Sequence, residues 1–304
     1  MSFTVTTVNV NGIRAAVKKR SEENLGFLDW VDTNRPDVIL LQEVRATTDQ
    51  TEKALAPLVE NGWHYAGFDS TAKKGHAGVG ILSTHQLTGI ERGFGSFPDT
   101  GRWIQAEVAD LGITVASLYL PSGSEGTAKQ DEKYLFLDEF GELLKDKAAA
   151  CEQMVIGGDW NICHRRQDIK NDKTNKKKSG FLADERAFMD EVFGTWPDEQ
   201  TQIESHGDFL GAVDYVKPAG KALRCPATDP QWFDVARRLW GDTEGPYTWW
   251  TYRGKAFDTD AGWRIDYQAA TKKLAERARK AWVDKADRYD LRWSDHSPLT
   301  VEYN

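Results

Sequence analysis

Cysteine is scarce in this chain: Cys151, Cys163 and Cys225 are the only three in 304 residues. The number is odd and no C-x-x-C spacing occurs, which excludes a disulfide framework and a structural zinc site and fits a reducing compartment. No run approaches 18 apolar residues, so no membrane-crossing helix is expected. The opening "MSFTVTTVNV" has no basic region followed by an apolar stretch, and a soluble, cytoplasmic protein is expected. Positive charge is short as well. The net charge is −8, whereas nucleic-acid binders are more often basic. Internal repeats and compositional breaks are also missing, which leaves one domain over residues 1–304.

What is present is ample material for a core: 40% hydrophobic residues, 11% aromatic, and twelve tryptophans, several of them between 240 and 293. Against the acidic background, "KNDKTNKKK" (170–178) carries five lysines and one acid. Such a run is ordinarily a solvated loop.

Short strand-like runs alternate with helical ones. "FTVTTVNV" (3–10) is rich in Val and Thr, "DVILLQEV" (37–44) is nearly continuous apolar, and "GVGILS" (78–83), "RWIQAEVA" (102–109) and "ITVASLYL" (113–120) read as further strands. Leu25, Leu28 and Val31 recur at helical spacing over 23–34, and 128–150 reads as a long amphipathic helix leading into the strand "MVIGG". Late strands are expected at 247–252, 263–269 and 297–303. Strands often follow strands, which favours two packed mixed sheets over a regular doubly wound one. Residues 195–231, with scattered Gly, Pro and Asp, read as a surface insertion.

Polar residues collect where these strands end. "VIGGDWNI" (155–162) delivers Asp159 and Asn161 two positions apart, on the same side of an extended segment, with Trp160 facing the other way. "VNVNG" does the same with Asn9 and Asn11. Gln42 and Glu43 close the second strand, Tyr119 sits just before "PSG", Asp266 interrupts "WRIDYQA", and "WSDHSP" places Asp295 and His296 before the last strand. Each alone is explained by a turn, but charges gathered at buried strand ends need partners. Glu43, Asp159 and Asp295 would supply hard anionic oxygens and Asn9, Asn11 and Asn161 neutral ones, a set suited to Mg²⁺ or Mn²⁺ rather than zinc. A histidine oriented by an acid beside such a set suits phosphoryl chemistry.

The stretches "VNVNGIRA", "PDVILLQEV", "GHAGVGIL", "YLPSG", "GGDWNI", "SGFLADERAF", "GPYTWWTYRGKAFDTDAGWRIDY" and "SDHSP" occur in order over about residues 3–303. In this they resemble the exonuclease III family of AP endonucleases, within the endonuclease/exonuclease/phosphatase superfamily. The resemblance implies a four-layer α/β sandwich, two packed mixed sheets flanked by helices. It implies a metal-dependent phosphodiesterase that cuts double-stranded DNA 5′ of abasic sites, with 3′–5′ exonuclease or 3′-phosphodiesterase action at blocked 3′ ends, as a monomer away from membranes.

Carried over position by position, the resemblance makes Glu43 and Asp295 the principal Mg²⁺ ligands, with Asn9, Asn11, Asp159, Asn161 and His296 close to the ion. Asp159 would orient or deprotonate the attacking water, and Asn161 would donate to the phosphate oxygen that gains charge. His296, held by Asp266, would contact the phosphate, and Tyr119 would bind it or assist the leaving oxygen. Trp249, Trp250 and Trp263 would shape a pocket for an extruded abasic sugar. Arg14, Lys74, Lys170, Asn171, Asn175, Lys176 and Lys177 would approach the DNA backbone.

The chain departs from the family pattern at 195–231 and at Val44 and Arg45, where a Thr-Lys pair is common. Two other readings remain: a superfamily phosphoesterase acting on a lipid or inositol phosphate, and a DNA-binding module without catalysis.

Overall fold

A computed structural model of the chain describes residues 2–196, 209–217 and 223–304. Its strands are β1 (Phe3–Asn9), β2 (Val38–Gln42), β3 (His64–Phe68), β4 (Val79–Ser83), β5 (Leu87–Arg92), β6 (Trp103–Val108), β7 (Ile113–Tyr119), β8 (Met154–Asp159), β9 (Trp232–Asp234), β10 (Asp266–Thr271), β11 (Ala278–Val283) and β12 (Leu299–Tyr303). They form two six-stranded sheets, ordered β11-β12-β1-β2-β4-β3 and β5-β6-β7-β8-β10-β9. Each sheet has one parallel pair at its centre, β1 with β2 and β7 with β8, and antiparallel neighbours elsewhere.

Helices α1 (Ile13–Ala16), α2 (Phe27–Asn34) and α3 (Thr48–Glu60) cover the outer face of the first sheet. Helices α4 (Ala128–Ala150) and α6 (Ala183–Phe193) pack on the outer face of the second sheet, and α5 (Asp172–Asn175) lies between them in sequence. Helices α7 (Val235–Trp240) and α8 (Lys272–Ala275) instead send Val235 and Leu274 into the cluster between the sheets, and Trp240 Nε1 donates to the Ala281 carbonyl of β11 at 3.0 Å. The expected four layers follow from strand periodicity. Val38 and Leu40 face the space between the sheets while Ile39 and Leu41 face the helices, so β2 is apolar on both sides and reads as a continuous run. β8 divides the same way: Val155 points between the sheets, Met154 and Ile156 toward α4 and α6.

The sheets approach closely near the site. A Cβ at Gly157 would fall 2.5 Å from Leu40 Cδ1 and 3.0 Å from Thr7 Cβ, so this position admits only hydrogen. Between the sheets, Gln42 Nε2 donates to Ser117 Oγ at 2.9 Å and Gln268 Nε2 donates to the Val5 carbonyl at 2.7 Å. These buried links fix the stacking register, because a slip would leave each amide without a partner.

The strands expected at 3–10, 37–44, 78–83, 102–109, 113–120 and 297–303 and the helix at 128–150 are present, with ends shifted by a residue or two. The expected strand at 247–252 is instead a loop tied by isolated bridges, Trp249 to Trp263 and Trp249 to His296. Of the expected insertion at 195–231, residues 197–208 and 218–222 lie outside the described residues. Its segment 209–217 packs onto α4, where Asp131 accepts from the Val213 amide at 2.9 Å. Among the described residues no helix is long and apolar enough to cross a membrane.

Candidate active site

Both parallel pairs end on the same side of the sandwich. Asn9 lies opposite Gln42 at the end of β1 and β2, and Tyr119 lies opposite Asp159 at the end of β7 and β8. The antiparallel β10 begins there with Asp266 opposite Asp159, and His296 stands just before β12. Residues from six separate strand ends therefore converge on one place.

Asp159 is the hub. Its Oδ2 accepts from Asn9 Nδ2 at 2.9 Å, its Oδ1 accepts from the Asn161 amide at 3.0 Å, and His296 Nε2 lies 3.8 Å from Oδ2. Asn9 Nδ2 also donates to Glu43 Oε2 at 3.0 Å, so one amide spans the two carboxylates. His296 Nδ1 is 2.8 Å from Asp266 Oδ2, and both residues are buried. Asn11 Nδ2 donates to Asp295 Oδ1 at 2.8 Å, and Trp249 Nε1 donates to Asp295 Oδ2 at 3.1 Å. Asn161 Nδ2 donates to the Leu120 carbonyl at 2.8 Å, leaving its second amide proton available.

The backbone is strained here. Among the described residues, eight non-glycine residues have positive φ, and five of them, Asn11, Glu43, Arg45, Ala77 and Asn161, with φ of 47–52°, sit at or beside this cluster. Left-handed conformations of this kind cost of order 1–3 kcal/mol each and persist only where surrounding contacts over-determine them. The strand ends need them to turn sharply while still aiming side chains at one point.

Burial pushes the Asp159 carboxyl up to about 7, with His296 pulling it back and Asp266 and Glu43 adding to the rise. Burial alone would lower the His296 imidazole, but Asp266 and Asp159 outweigh it and hold the group up at about 10. The two acids therefore favour the charged imidazolium form of His296. Burial, then the nearby Glu43 and Asp159 charges, drives Tyr119 well above its ordinary value, so it stays a phenol; Arg102 opposes this weakly from 5.1 Å over the ring.

The donor set fits a hard divalent cation, since Glu43 and Asp295 offer carboxylate oxygens and Asn9 and Asn11 amide groups, with no thiol among them. Among the described residues a different cluster, Asp159, Asp266 and His296, brings one ligand atom of each within 4.8 Å of the others. With Asp266 bound directly to the imidazole, that trio is better built to hold a proton than an ion.

Trp249 and Trp263 meet edge-to-face at 5.7 Å beside Asp295 and are half-buried. Trp250 does not line an opening with them. It is buried against Tyr247 and Phe257, with its Nε1 on Asp260 at 3.1 Å, because the loop turns its side chain inward at this position. Trp160 packs against Phe140 and Phe193, each at 5.4 Å, in the core behind the strand. Arg14, Lys74, Lys170, Asn171, Lys176 and Lys177 are exposed and Asn175 half-exposed. Lys170 pairs with Glu244 at 3.5 Å and Lys178 with Glu125 at 2.7 Å.

Arg45 enters the sequence reading only as a departure from the family pattern, and several other charged residues near the site escape it. Arg45 bonds Glu43 Oε1 and donates to Asn11 Oδ1 at 2.7 Å. A groove of about 640 Å³ opens beside Glu43 and Tyr119, lined by Arg45, Lys73, His76, Arg102 and Lys129. Beneath the Trp249–Trp263 contact, buried Asp168 takes bonds from Arg237 at 2.6 Å and Arg264 at 2.7 Å, while Arg264 also reaches Asp234 at 2.7 Å. No periodic signal marked this network, because Arg264 precedes β10 and β10 is buried on both faces.

A strand-end cluster of this composition, on two stacked mixed sheets, defines a phosphoesterase-like architecture. The model of the endonuclease/exonuclease/phosphatase family matches residues 6–296, and the chain belongs to that family. The "Recombination repair protein 1" of Drosophila melanogaster is 29% identical over 298 residues, 97% of this chain and 36% of that protein's own length. The "DNA-(apurinic or apyrimidinic site) endonuclease" of Dictyostelium discoideum is 27% identical over 296 residues, 96% of this chain and 68% of the relative. The "Exodeoxyribonuclease" of Bacillus subtilis is 28% identical over 302 residues, covering 97% of each. A Neisseria 3′ phosphatase solved with a product DNA hairpin has the same fold, with TM-score 0.77, 23% identity and 99% of both chains covered.

Proposed function

We propose that this protein is a DNA-repair nuclease of the exonuclease III and AP endonuclease type. It hydrolyses the phosphodiester 5′ of an abasic site in double-stranded DNA to leave a 3′-hydroxyl, and it trims blocked 3′ ends by the same chemistry. The observation that carries this reading is the buried Asp159 held between Asn9, Asn161 and the hydrogen-bonded His296–Asp266 pair.

Asp159, with its carboxyl raised toward neutrality, orients the attacking water and takes its proton. His296 presents positive charge to the scissile phosphate, and the second amide proton of Asn161 donates to the oxygen that gains charge. Tyr119, kept protonated, serves the leaving oxygen. Glu43 and Asp295 would hold Mg²⁺ or Mn²⁺, with Asn9 and Asn11 beside them. When bound, the ion screens the phosphate charge and polarises its oxygens. Trp249 and Trp263 form the wall against which an extruded sugar packs, and the lysines of 170–178 follow the backbone without reading sequence. The protein acts as a cytoplasmic monomer.

A labelled duplex with one internal abasic site tests this directly. A single cut 5′ of the lesion, abolished by chelation, is expected. Asp159→Asn and His296→Ala should each lose roughly 10²–10⁴-fold in turnover while retaining duplex binding in a mobility-shift assay. Full turnover in either variant, or hydrolysis of an inositol phosphate in preference to the duplex, would remove the assignment.

A further inference from the structure

Helix α4 buries a lysine. Lys133 pairs with Glu185 of α6 at 2.7 Å, and neither side chain has any exposure. The pair belongs to no part of the constellation described above, yet Lys133 bonds two segments that carry it. The Lys133 ammonium also donates to the Asn161 carbonyl at 3.0 Å and the Ser122 carbonyl at 3.3 Å. Glu185 Oε2 accepts from the Gly180 amide at 2.7 Å and the Leu182 amide at 3.1 Å. Glu185 Oε1 accepts from Gln130 Nε2 at 2.9 Å and Ser179 Oγ at 3.2 Å.

Three chain segments therefore meet on one ion pair: the turn after Tyr119, the Asp159–Asn161 strand end, and the close of the lysine run. The packing leaves no slack, since a Cβ at Gly123 would fall 2.4 Å from Gln130 Oε1 and 2.5 Å from Ser179 Oγ. Burying two charges rarely adds stability over apolar packing of the same volume, so their use here needs another reason. The reason lies in the backbone. Asn161 holds φ of 52°, and the Lys133 ammonium is the side chain that bonds its carbonyl.

We infer that Lys133 is a positioning residue: it fixes the backbone of Asn161, and so aims the Asn161 amide at the reacting phosphate, while Glu185 holds Lys133 and the lysine-run turn in register with it. This rests on the role proposed above for Asn161. A displacement near 1 Å at such a group can cost on the order of 10²-fold in rate.

The test compares Lys133→Met with the double variant Lys133→Met/Glu185→Gln. Both remove the donor to the Asn161 carbonyl, but only the double variant leaves no unpaired buried charge, so it should melt above the single one. In both, kcat should fall roughly 10- to 100-fold with KM for the abasic duplex little changed, and the Asn161 side-chain amide resonance should move. Wild-type kcat in the folded double variant, or a lost kcat with the Asn161 resonance unmoved, would overturn the inference. If wild type itself fails to incise the duplex, the proposed substrate falls, and the Asn161 resonance still decides the positioning role.

Discussion

Two carboxyls in this molecule, one buried and one half-buried, show how environment alone sorts chemically identical groups. Asp159 has Asn9, Asn161 and His296 around it and is placed to exchange a proton. Asp284, after β11, is half-buried: its Oδ2 has no hydrogen-bond partner, and burial, opposed by a hydrogen bond with Trp282, raises its carboxyl from 3.8 to about 6. The folded state then binds the Asp284 proton more tightly than the unfolded chain. Its contribution to stability is full below about pH 4 and is lost as pH rises through about 6. A rise of this size on a partly solvated group corresponds to about 1–2 kcal/mol once screening is allowed for. Asp284→Asn should therefore be more stable than wild type by that amount at pH 8 and equal to it near pH 4, measured by urea unfolding at both values. A gain of the same size at both would show that the charge is not the cause. Sequence could point to Asp159 through its spacing from Asn161, whereas Asp284 carries no local sign of its burial.

At the scale of elements, the site depends on where strands stop, and on what holds the connecting loops. Helix α7 and the segments around 165–170 and 241–245 are joined through Asp168, Arg237, Arg264 and Asp234. Arg237 donates to the Thr243 carbonyl at 2.8 Å and the Gly245 carbonyl at 3.1 Å, as well as to Asp168. Burial would raise Asp168, but Arg264 and Arg237 outweigh it and hold the carboxyl well below its usual range. Asp168→Asn would leave two guanidiniums buried against one remaining carboxylate. A loss of about 3–5 kcal/mol is expected, read as a lowered midpoint in denaturant with the loops of 165–170 and 241–245 gaining hydrogen exchange first. A change below about 1 kcal/mol, the surface-pair range, would show that the network is not worth what its burial implies. The strands are legible in the sequence because their alternation is local. The 247–252 segment is not a strand although "YTWWTY" has strand composition, because its hydrogen bonds go to the distant Trp263 and Asp295 backbones.

For the molecule as a whole, a net charge of −8 coexists with a groove beside Tyr119, lined by four Arg and Lys side chains against two Glu, and an exposed lysine run at 170–178. Long-range charge is screened beyond about 8–10 Å at moderate salt, so the local surface decides how a phosphodiester chain is met. If about four phosphates are neutralised, raising salt from about 50 to 200 mM should weaken duplex binding by roughly two orders of magnitude. Replacing Lys176 and Lys177 by Gln should flatten that dependence. A salt slope near zero in the native protein would remove the backbone-contact proposal.

The sequence by itself determined the layered class of fold and the kinds of group at its strand ends, because periods of 2 and 3.6 residues and the Gly-Asp-x-Asn spacing are written locally. It also marked Trp160 as core, from its position between two residues that face the other way. Only the tertiary structure decided which charges meet. Lys133 stands on a helix rich in Glu and Asp, and nothing within a turn of it announces Glu185 on another helix. Trp250 is equivalent to Trp249 in sequence until the loop path turns it inward. Burial of a charge is set by partners brought from across the chain, and those distances exist only once both sheets have closed on each other.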